Sequence, residues 1–552
     1  MTTVYKDVNQ IQKLLASLLA TYPSVYLSDV EGNSVDLNAM ILRPLMSQSS
    51  EFCTDISTGK LLFKPYAEGL FGEIGDLKMG GGTSFNNIML NHISVGPDKS
   101  SGPSYVVYHL PIVVKKSRNP EPYYIILNNF NGRYMFEMNN FLHEAMIASF
   151  ASHLYDLGIC PGVLKCFGNY VCPEQVTAAT PPAAQKRHTS YLVLEKSGFN
   201  MHQLIRDRYY EEAFLNMNVY DFQNIIVQIS HTLYVLKRHF GIIPFDLHLK
   251  NIMVSYIKRG GAAIPGIPEN KFIQEYYGGR DLKQLDYFCY EMPELGSDGR
   301  SKQIIVQNNG FLVKIVDYCM AIAEFDVSLN KRRYGFPIDG KLLDKIYWLR
   351  QAVQNNDKYQ TVAINFFLYN LISCLYRTYN GFEGMNKDGI NLPPRSEKVR
   401  MHALKLSEQL KPFVYAINPS FSFEKVSQSV NHKTDGTNRV DFVTSNSVHN
   451  FADVSEIMEL RDVGEKSNGR DEIILNRIWS FFFKDGKNYA HNTTYVTRTG
   501  VSPAIYSGTP TLVVPFATDS QRAKETGIVT DLTPMEKFMN KLFKYNSMCL
   551  DK

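Results

Sequence analysis

An acid and an amide stand five residues apart in a short polar turn between two apolar runs. They are Asp246 and Asn251, within the stretch GIIPFDLHLKNIMV from Gly241 to Val254. Transfer of a phosphoryl group needs a carboxylate beside the acceptor hydroxyl and an oxygen ligand for Mg²⁺, both held on one rigid turn. These two side chains supply both groups, so the turn is a candidate catalytic loop for phosphoryl transfer.

A second acid follows another apolar run. The stretch FLVKIVDYCMA is typical of a short buried strand ending at Asp317, which suits a second metal-binding carboxylate. Ahead of the Asp246 turn, apolar residues recur at three- and four-residue steps and predict an amphipathic helix that leads into it. These residues are Phe222, Ile225, Ile226, Ile229, Leu233 and Leu236. This order of elements is a more specific signal than the spacing of one Asp and one Asn.

The turn resembles the catalytic loop of protein kinases, H-R-D-L-x-x-x-N, with Pro244 and Phe245 in place of the His and Arg. The D-F-G motif is matched by Asp317-Tyr318-Cys319. The chain is similar to divergent members of the protein-kinase-like superfamily, and in particular to the virion Ser/Thr kinases of large nucleocytoplasmic DNA viruses. The resemblance implies ATP, two Mg²⁺ ions and a Ser or Thr hydroxyl as acceptor. It also implies Asp246 as the catalytic base, and Asn251 and Asp317 as the metal ligands.

The resemblance places a phosphate-covering loop in the glycine-rich stretch GGGTSFNNIML, between two predicted strands. Glycine suits such a loop because a backbone without Cβ can approach phosphates closely. The kinase pattern G-x-G-x-x-G-x-V falls on Gly81, Thr83, Asn86 and Ile88. The nucleotide-binding residues implied here are Gly81, Thr83, Ser84 and Phe85. Because Thr83 occupies a glycine position, a plain surface turn is the alternative interpretation.

A lysine that binds the nucleotide phosphates is expected where the apolar run VVYHLPIVVKKS ends in Lys115 and Lys116. Adjacent side chains of a strand point to opposite faces, so only one of the two enters the cleft. We expect this to be Lys115. The resemblance implies that its ion-pair partner is Glu144, on a helix predicted from about Glu137 to Leu157, with Glu137 as the alternative.

The resemblance implies an α+β class and a bilobal protein-kinase-like fold, with a small β-rich N-lobe, a larger helical C-lobe and extensions at both ends. The stretch SYLVLEKSG is predicted to be the last strand of the N-lobe, and Leu194, Glu195 and Lys196 begin the hinge whose backbone would bind adenine. The predicted parts are a helical extension over 1–64, an N-lobe over 65–196, a C-lobe over 197–418, a polar linker over 419–470 and a C-terminal extension over 471–552. An insertion at about 258–303 is expected to be an exposed loop, with a partner-docking surface as the alternative.

Two basic residues near Asp246 leave the acceptor open. His248 stands where protein Ser/Thr kinases carry a lysine, and a histidine there is similar to aminoglycoside- and choline-type phosphotransferases. Its ordinary pKa of about 6.5 leaves it largely neutral at pH 7, so Lys250 is the alternative source of charge. A small-molecule phosphotransferase is therefore the second hypothesis, and a catalytically silent pseudokinase is the third. The presence of Lys115, Glu144 and both acids argues against the pseudokinase.

Composition sets limits on partners and compartment. The 552 residues are 44% hydrophobic and carry a net charge of +4, so no strong field for nucleic acid is predicted. The eight cysteines include no C-x-x-C pair, which argues against a disulfide framework and a zinc site and favours a reducing compartment. We find no signal-peptide pattern and no stretch of about 18 uncharged apolar residues. The expected location is the host cytoplasm or a virus assembly site, with packaging in the virion, and the expected partners are protein substrates and other virion proteins.

Overall fold

The fold combines helices with largely antiparallel sheets. The computed structural model describes residues 2–5, 26–28, 34–36, 50–68, 72–79, 87–94, 104–117, 121–122, 125–130, 133–156, 158–173, 187–256, 276–277, 280–282, 285–295, 301–327, 332–338, 362–381, 395–431, 470–482, 494–497 and 511–514. The predicted α+β class is confirmed. In these parts of the chain, no helix is long and apolar enough to cross a membrane.

The strands are β1 (Thr2–Tyr5), β2 (Tyr26–Ser28), β3 (Ser34–Asp36), β4 (Leu61–Glu68), β5 (Gly72–Met79), β6 (Asn87–Ser94), β7 (Ser104–Ser117), β8 (Glu121–Pro122), β9 (Ile125–Phe130), β10 (Arg133–Met138), β11 (Cys166–Pro173), β12 (Arg187–Glu195), β13 (Phe199–Asn200), β14 (Ile243–Pro244), β15 (Ile252–Tyr256), β16 (Tyr276–Tyr277), β17 (Arg280–Asp281), β18 (Tyr287–Leu295), β19 (Ser301–Gln307), β20 (Phe311–Ile315), β21 (Ala321–Val327), β22 (Arg332–Phe336), β23 (Thr494–Thr497) and β24 (Thr511–Val514). The α-helices are α1 (Ser50–Ser57), α2 (Asn140–Asp156), α3 (Met201–Arg206), α4 (Glu211–Asn216), α5 (Val219–Phe240), α6 (Val362–Tyr379), α7 (Glu397–Ile417), α8 (Phe423–Asn431) and α9 (Arg470–Phe482). Short 3-10 helices span Arg208–Tyr210 and Leu249–Asn251.

Strands β4, β5, β7, β12 and β11 form, in that order, an antiparallel sheet, with β6 on the first half of β7. The two faces of this sheet pack against different helices. Ile112 and Val114 belong to a cluster that includes Ile56 of α1. Leu192 lies opposite Lys115 in the neighbouring strand and packs in a cluster with Phe141 of α2. Because neighbouring residues of a strand face opposite sides, Lys115 faces α2.

A disulfide bond between Cys53 and Cys172 joins α1 to β11. This bond contradicts the interpretation of the cysteine pattern, which argued against a disulfide framework and favoured a reducing compartment. The two residues are 119 positions apart in sequence, and only the packing of α1 on the sheet brings them together. Spacing rules detect local cysteine pairs and cannot detect this one. The other cysteines of the described chain are free and buried: Cys160, Cys166, Cys289, Cys319 and Cys374.

Helix α5 lies at the centre of the helical part and leads into the Asp246 turn. The apolar residues that predicted it are buried. Asn218 caps its first turn, accepting hydrogen bonds from the backbone N–H groups of Tyr220 and Asp221. Gly241 ends the helix in the left-handed region, with φ of +57°. A Cβ at Gly241 would collide with the backbone carbonyl of Glu324, so the glycine lets the chain pass close beneath β21.

The insertion contains an ordered hairpin, so its interpretation as an exposed loop is wrong for the described part. Strands β18 and β19 pair with each other, and they pair on their outer sides with β24 and β23 of the C-terminal extension. Phe288, Ile304 and Val306 of the hairpin are buried in the main hydrophobic core. Cys289 and Ile305, which face the other side of the hairpin, are buried as well, so both faces of the hairpin are covered.

The parts predicted at the two ends of the chain have different outcomes. The C-terminal extension contains helix α9 and the strands β23 and β24. Helix α8 occupies the start of the region predicted to be a polar linker, and the predicted N-terminal helical extension contains the strands β1, β2 and β3. Apolar residues at helical spacing over 7–21 and the stretch from Pro534 also predict helices, and both stretches lie outside the described residues. The domain boundaries stay predictions.

Candidate active site

The two acid-bearing turns are fastened to each other at both ends. After β14, the N–H of Phe245 donates to the carbonyl of Met320, at 3.1 Å. At the far end of the first turn, the carbonyl of Asn251 accepts from the N–H of Val316, at 3.0 Å. Strands β15 and β20, which follow and precede these contacts, pair along their whole length. The turn carrying Asp246 and the turn that follows β20 are therefore held as one unit.

Asn251 braces the turn from within. Its side-chain Nδ2 donates to the backbone carbonyl of Asp246, at 2.8 Å, and its N–H donates to the carbonyl of His248, at 2.9 Å. The side chain of Asn251 is buried. Because the amide nitrogen is used to hold the loop, Oδ1 is the atom of this side chain that could bind a cation.

Lys115 connects the sheet to both α2 and the second acid-bearing turn. Its Nζ lies 2.8 Å and 2.7 Å from the two carboxylate oxygens of Glu144, and 3.2 Å from Oδ1 of Asp317. Burial alone would lower the pKa of this ammonium, but the Asp317 and Glu144 carboxylates raise it, so Lys115 stays charged. The predicted pairing of Lys115 with Glu144 is confirmed.

Lys116 and Glu137 were the alternative residues for this ion pair, and both lie away from it. Lys116 faces the other side of the sheet, where its Nζ lies 3.6 Å from Glu73 and over the ring of Phe63. Glu137 is exposed, and it precedes helix α2 instead of lying on it. Strand alternation therefore predicted which of the two lysines pairs with Glu144. The two glutamates differ in burial, since Glu144 is buried and Glu137 is exposed.

Asp317 adopts a backbone conformation that side-chain-bearing residues rarely adopt. Its φ is +63°, the one positive value at a non-glycine residue in the described chain. Such a conformation costs free energy, and it persists where the surroundings fix it. Here the contact with Lys115 and the fastening of the turn fix it. The carboxylate is thereby presented to the same space as Asp246.

The two acids have opposite electrostatic surroundings. Burial raises the pKa of Asp317, but the ammonium of Lys115, together with Cys319 and His248, outweighs this, so the net effect lowers the pKa. Burial also raises the pKa of Asp246; His248 opposes this, the negative charge of Asp317 adds to it, and the pKa stays raised. Pairs of acids whose pKa values are driven apart divide roles between an ionised group and a proton acceptor. Asp317 suits the ionised role and Asp246 suits the second.

Asp317 and Asn251 together fit Mg²⁺ bound with a substrate. Mg²⁺ prefers hard oxygen ligands and is commonly held by one or two protein side chains, with water and substrate phosphates completing the octahedron. The lowered pKa keeps the Asp317 carboxylate charged, and Asn251 adds a neutral amide oxygen. No group of three or more His, Cys, Asp or Glu side chains within the described ranges could hold a metal ion by itself.

His248 is oriented by its own turn. Its Nδ1 accepts a hydrogen bond from the N–H of Lys250, at 3.2 Å, which leaves Nε2 to carry a ring proton. Nε2 lies 3.7 Å from Oδ2 of Asp246. His248 and Lys250, the two predicted basic residues, thus both lie beside Asp246. The imidazole N–H is directed at the carboxylate, and Lys250 lies in the 3-10 helix that follows.

Two polar groups of Glu195, at the predicted hinge, are bonded within the protein. Its carboxylate is buried in an ion pair with Lys314, at 2.6 Å, and also accepts from the N–H of Lys165. Its own N–H donates to the carbonyl of Lys165. The carboxylate and the N–H of Glu195 are both bonded within the protein, so this N–H does not donate to adenine. The adjacent prediction for Leu194 and Lys196 remains open, and Lys196 pairs with Asp76 of β5 at 2.9 Å.

The Glu195–Lys314 pair gives a stability prediction. Both side chains are almost fully buried, so Lys314→Met strands a carboxylate in the core and is expected to lower the free energy of unfolding by about 3–5 kcal/mol. The double replacement Lys314→Met with Glu195→Leu removes both charges and should recover most of that loss. Urea unfolding followed by tryptophan fluorescence measures both. Equal stability of Lys314→Met and the unmodified protein would contradict the prediction.

Gly81, Thr83, Ser84 and Phe85 lie outside the described residues, so that loop stays a prediction. A second glycine-containing segment lies earlier in the chain. Strand β5 ends at Met79, five residues beyond the residue opposite Lys115, which is about 17 Å along a strand. Strands β4 and β5 pair as a hairpin, and the start of β5 at Gly72 is closer to Lys115, because Ile74 lies opposite that lysine.

The sequence of this hairpin contains a glycine pattern that sequence analysis missed. Residues 67–74 read AEGLFGEI, which places Gly69 and Gly72 on two glycines of G-x-G-x-x-G-x-V and Ile74 on its valine. Ile74 pairs directly with Lys115. A Cβ at Gly72 would collide with the carbonyl of Lys116, so close strand packing requires glycine there. The Gly-x-x-Gly spacing before a predicted strand is the sequence signal that could have identified this segment.

Comparisons with known proteins add a relative from a virus. No family model matches the sequence. The uncharacterized protein 209R of Invertebrate iridescent virus 6 is 23% identical over 413 residues, an alignment that covers 71% of this chain and 37% of the relative. The chain thus matches little more than a third of that protein's length. Among solved structures, the MAP kinase LmaMPK10 from Leishmania major is 15% identical, with a TM-score of 0.20 over 37% of this chain and 46% of the kinase.

Proposed function

We propose that this protein is a divergent protein-kinase-like phosphotransferase that transfers the γ-phosphate of Mg·ATP to Ser or Thr hydroxyls of proteins. The observation that carries the proposal is the convergence of five polar residues from four separate segments. They are Lys115 of β7, Glu144 of α2, Asp246 and Asn251 of one turn, and Asp317 of the other. These are the residue types and the chain order that phosphoryl transfer requires.

The buried Glu144 holds Lys115 in one position, so that its ammonium can bind phosphate oxygens without losing rotamer freedom on binding. Asp317 and Asn251 would hold Mg²⁺, which supplies positive charge against the nucleotide phosphates. Asp246, whose raised pKa makes it the better proton acceptor of the two acids, orients the acceptor hydroxyl and takes its proton. The hydroxyl oxygen then bonds to the γ-phosphorus as the bond to the bridging oxygen breaks, and ADP leaves.

A small-molecule phosphotransferase is the second candidate. His248 favours it, because an imidazole directed at Asp246 matches the aminoglycoside- and choline-type pattern better than the lysine pattern of protein kinases. A silent pseudokinase is disfavoured, because the lysine, its glutamate, both acids and the asparagine are all present and in mutual contact or on joined turns.

The similarity to an iridescent virus protein supports a viral setting. We place the activity in the host cytoplasm or at a virus assembly site, with packaging in the virion. Other virion proteins are then the nearest substrates.

The test is a transfer assay with two acceptor classes. Purified protein is incubated with γ-labelled ATP and Mg²⁺, and either with proteins rich in Ser and Thr or with aminoglycosides, choline and sugars. We expect label on Ser or Thr of the proteins, and none when EDTA removes Mg²⁺. Label on a small alcohol alone would favour the second candidate. No transfer to either class would contradict phosphotransferase function.

A further inference from the structure

Helix α2 carries a buried histidine directly before the glutamate of the site. His143 is 2% exposed, and its Nε2 lies 2.7 Å from the backbone carbonyl oxygen of Ala321. A carbonyl oxygen can only accept a hydrogen bond, so Nε2 carries a proton and is the donor. Because Ala321 follows Asp317 by four residues, the imidazole joins α2 to the turn that presents the second acid.

The bond to Ala321 is made where the two acid-bearing turns are fastened to each other. The preceding residue, Met320, accepts from the N–H of Phe245 on the first turn. Strand β22 pairs with β21 from Ala323 onward, so Ala321 lies just before the paired part. A buried carbonyl needs a donor, and the side chain of His143 supplies one from α2.

Together with the ion pairs of the site, this hydrogen bond completes a closed series of contacts. Nζ of Lys115 lies 2.7 Å from the carboxylate of Glu144 and 3.2 Å from Oδ1 of Asp317. The turn that contains Asp317 ends at Ala321, the first residue of β21. His143 and Glu144 are consecutive residues of α2. The helix is therefore joined to the turn by two polar routes, one through Lys115 and one through His143.

Apolar packing holds the same face of α2 as His143 does. Phe150 lies seven residues after His143, about two helical turns along, and so on the same face. Its ring packs against Phe240 of α5 and Phe336 of β22, with centroid distances of 5.0 Å and 5.2 Å. Apolar contacts are not directional, whereas a hydrogen bond has a preferred length and angle. The apolar contacts thus bury the helix, and the bond of His143 fixes its rotation.

The rotation of α2 determines where Glu144 points. Consecutive residues of an α-helix are turned by about 100° from each other, so His143 and Glu144 face different neighbours. Strand β10 ends just before α2 begins and is joined to β21 through β22, so backbone pairing fixes the start of the helix. A rotation about this fixed start that broke the bond to Ala321 would also turn the Glu144 carboxylate away from Lys115.

We propose that His143 is a positioning residue of the site, which holds Glu144 against Lys115 before any nucleotide binds. The inference rests on the proposed function, because a held lysine serves catalysis only where it meets nucleotide phosphates. The bonded nitrogen of His143 contacts the backbone of the protein itself, so the histidine acts through Glu144 and not on a substrate.

The test measures how readily an amine reagent reaches Lys115, with the neighbouring Lys116 as internal reference. The protein is treated briefly with an N-hydroxysuccinimide ester, without nucleotide, and both lysines are quantified by tandem mass spectrometry. In His143→Leu the donor is lost, and we expect labelling of Lys115 relative to Lys116 to rise about five- to tenfold, the effect of about one hydrogen bond. His143→Gln places an amide N–H near the position of Nε2 and should stay within about twofold.

Further variants separate positioning from a general loosening of the helix. Ser149→Ala removes a buried hydroxyl that donates to a backbone carbonyl of α2, and should leave the labelling of Lys115 unchanged. In a Glu144→Gln background, His143→Leu should add less than about twofold, because its effect passes through Glu144. Should His143→Leu fail to fold, His143→Asn replaces it, since asparagine lacks the methylene by which glutamine reaches the carbonyl.

Kinetics extend the test to the reaction. His143→Leu should lower kcat/KM for ATP by about the same factor by which it raises the labelling of Lys115, and His143→Gln should restore it. Equal labelling of Lys115 in the unmodified protein and in His143→Leu would overturn the inference. A rise of the same size in Ser149→Ala, or an undiminished rise in the Glu144→Gln background, would also overturn it.

The two proposals fail separately. Phosphate transfer by the unmodified protein, with labelling of Lys115 that does not depend on His143, refutes the positioning role and leaves the phosphotransferase intact. Labelling that rises in His143→Leu and returns in His143→Gln, without transfer to any acceptor, refutes the phosphotransferase and supports the hold of His143 on the Lys115–Glu144 pair.

Discussion

Asp246→Asn is expected to lower turnover by about 10²–10⁴-fold while leaving the affinity for Mg·ATP unchanged, because only proton acceptance by the carboxylate is lost. The loop should keep its shape, since Asn251 bonds to the backbone carbonyl of Asp246 and not to its side chain. Steady-state kinetics with a protein acceptor measures the first effect and nucleotide titration the second. Full phosphotransfer by Asp246→Asn would remove Asp246 from the catalytic role.

Stability provides the control for this variant. The fold raises the pKa of Asp246, and an acid with a raised pKa destabilises the fold at every pH above its unfolded value, because the ionised form is disfavoured in the native state. The neutral amide of the Asp246→Asn variant lacks this penalty, so the variant should be at least as stable as the unmodified protein at pH 7. In the active protein, the acidic limb of kcat/KM against pH should lie above the ordinary value of about 3.9 for aspartate. A loss of folded protein would instead indicate a structural role.

Lys115→Met is expected to lower turnover by about 10²–10³-fold, comparable to the loss of one preorganised charge donor at a reacting group. Lys116→Met should stay within about twofold of the unmodified protein, because Lys116 lies on the opposite face, in a half-buried pair with Glu73 and over the ring of Phe63. The same kinetic assay measures both. A dead Lys116→Met and an active Lys115→Met would show that the strand faces are exchanged.

Lys115→Met also strands the buried Glu144 carboxylate, so a loss of fold has to be separated from a loss of chemistry. The double variant Lys115→Met with Glu144→Gln removes both charges of the pair and should recover stability in thermal unfolding. If it regains stability and remains inactive, the lysine acts in the site. If it regains activity as well, Lys115 serves only to neutralise Glu144.

Local pattern and chain order were enough to predict the centre of the site. The alternation of β7 selects Lys115 over Lys116, and the apolar run before Asp317 places that acid at the end of a buried strand. The periodicity of α5 and the glycine that ends it predict the approach to Asp246. Each of these inferences depends on residues a few positions apart, where side-chain direction follows directly from backbone geometry.

Features that depend on distant parts of the chain could not be predicted in this way. The Cys53–Cys172 bond and the sheet that joins the insertion to β23 and β24 form only when remote segments meet. The Glu195–Lys314 ion pair illustrates the same limit, because Lys314 arrives from a strand 119 residues later. The Gly-x-x-Gly spacing at residues 67–74 is a different case, since it is present in the sequence beside the longer glycine run at 80–82.

The most direct test of the central claim is calorimetric titration of a non-hydrolysable ATP analogue, with Mg²⁺ and with EDTA, because it addresses the site without requiring an acceptor. The account predicts binding that is at least about tenfold tighter with Mg²⁺, and loss of that difference in Asp317→Asn, since one lost carboxylate–metal contact is worth more than about 1.4 kcal/mol. Asp246→Asn should titrate like the unmodified protein. Failure of the analogue to bind, or equal affinity with Mg²⁺ and EDTA, would contradict the assignment of this cleft as a metal-nucleotide site.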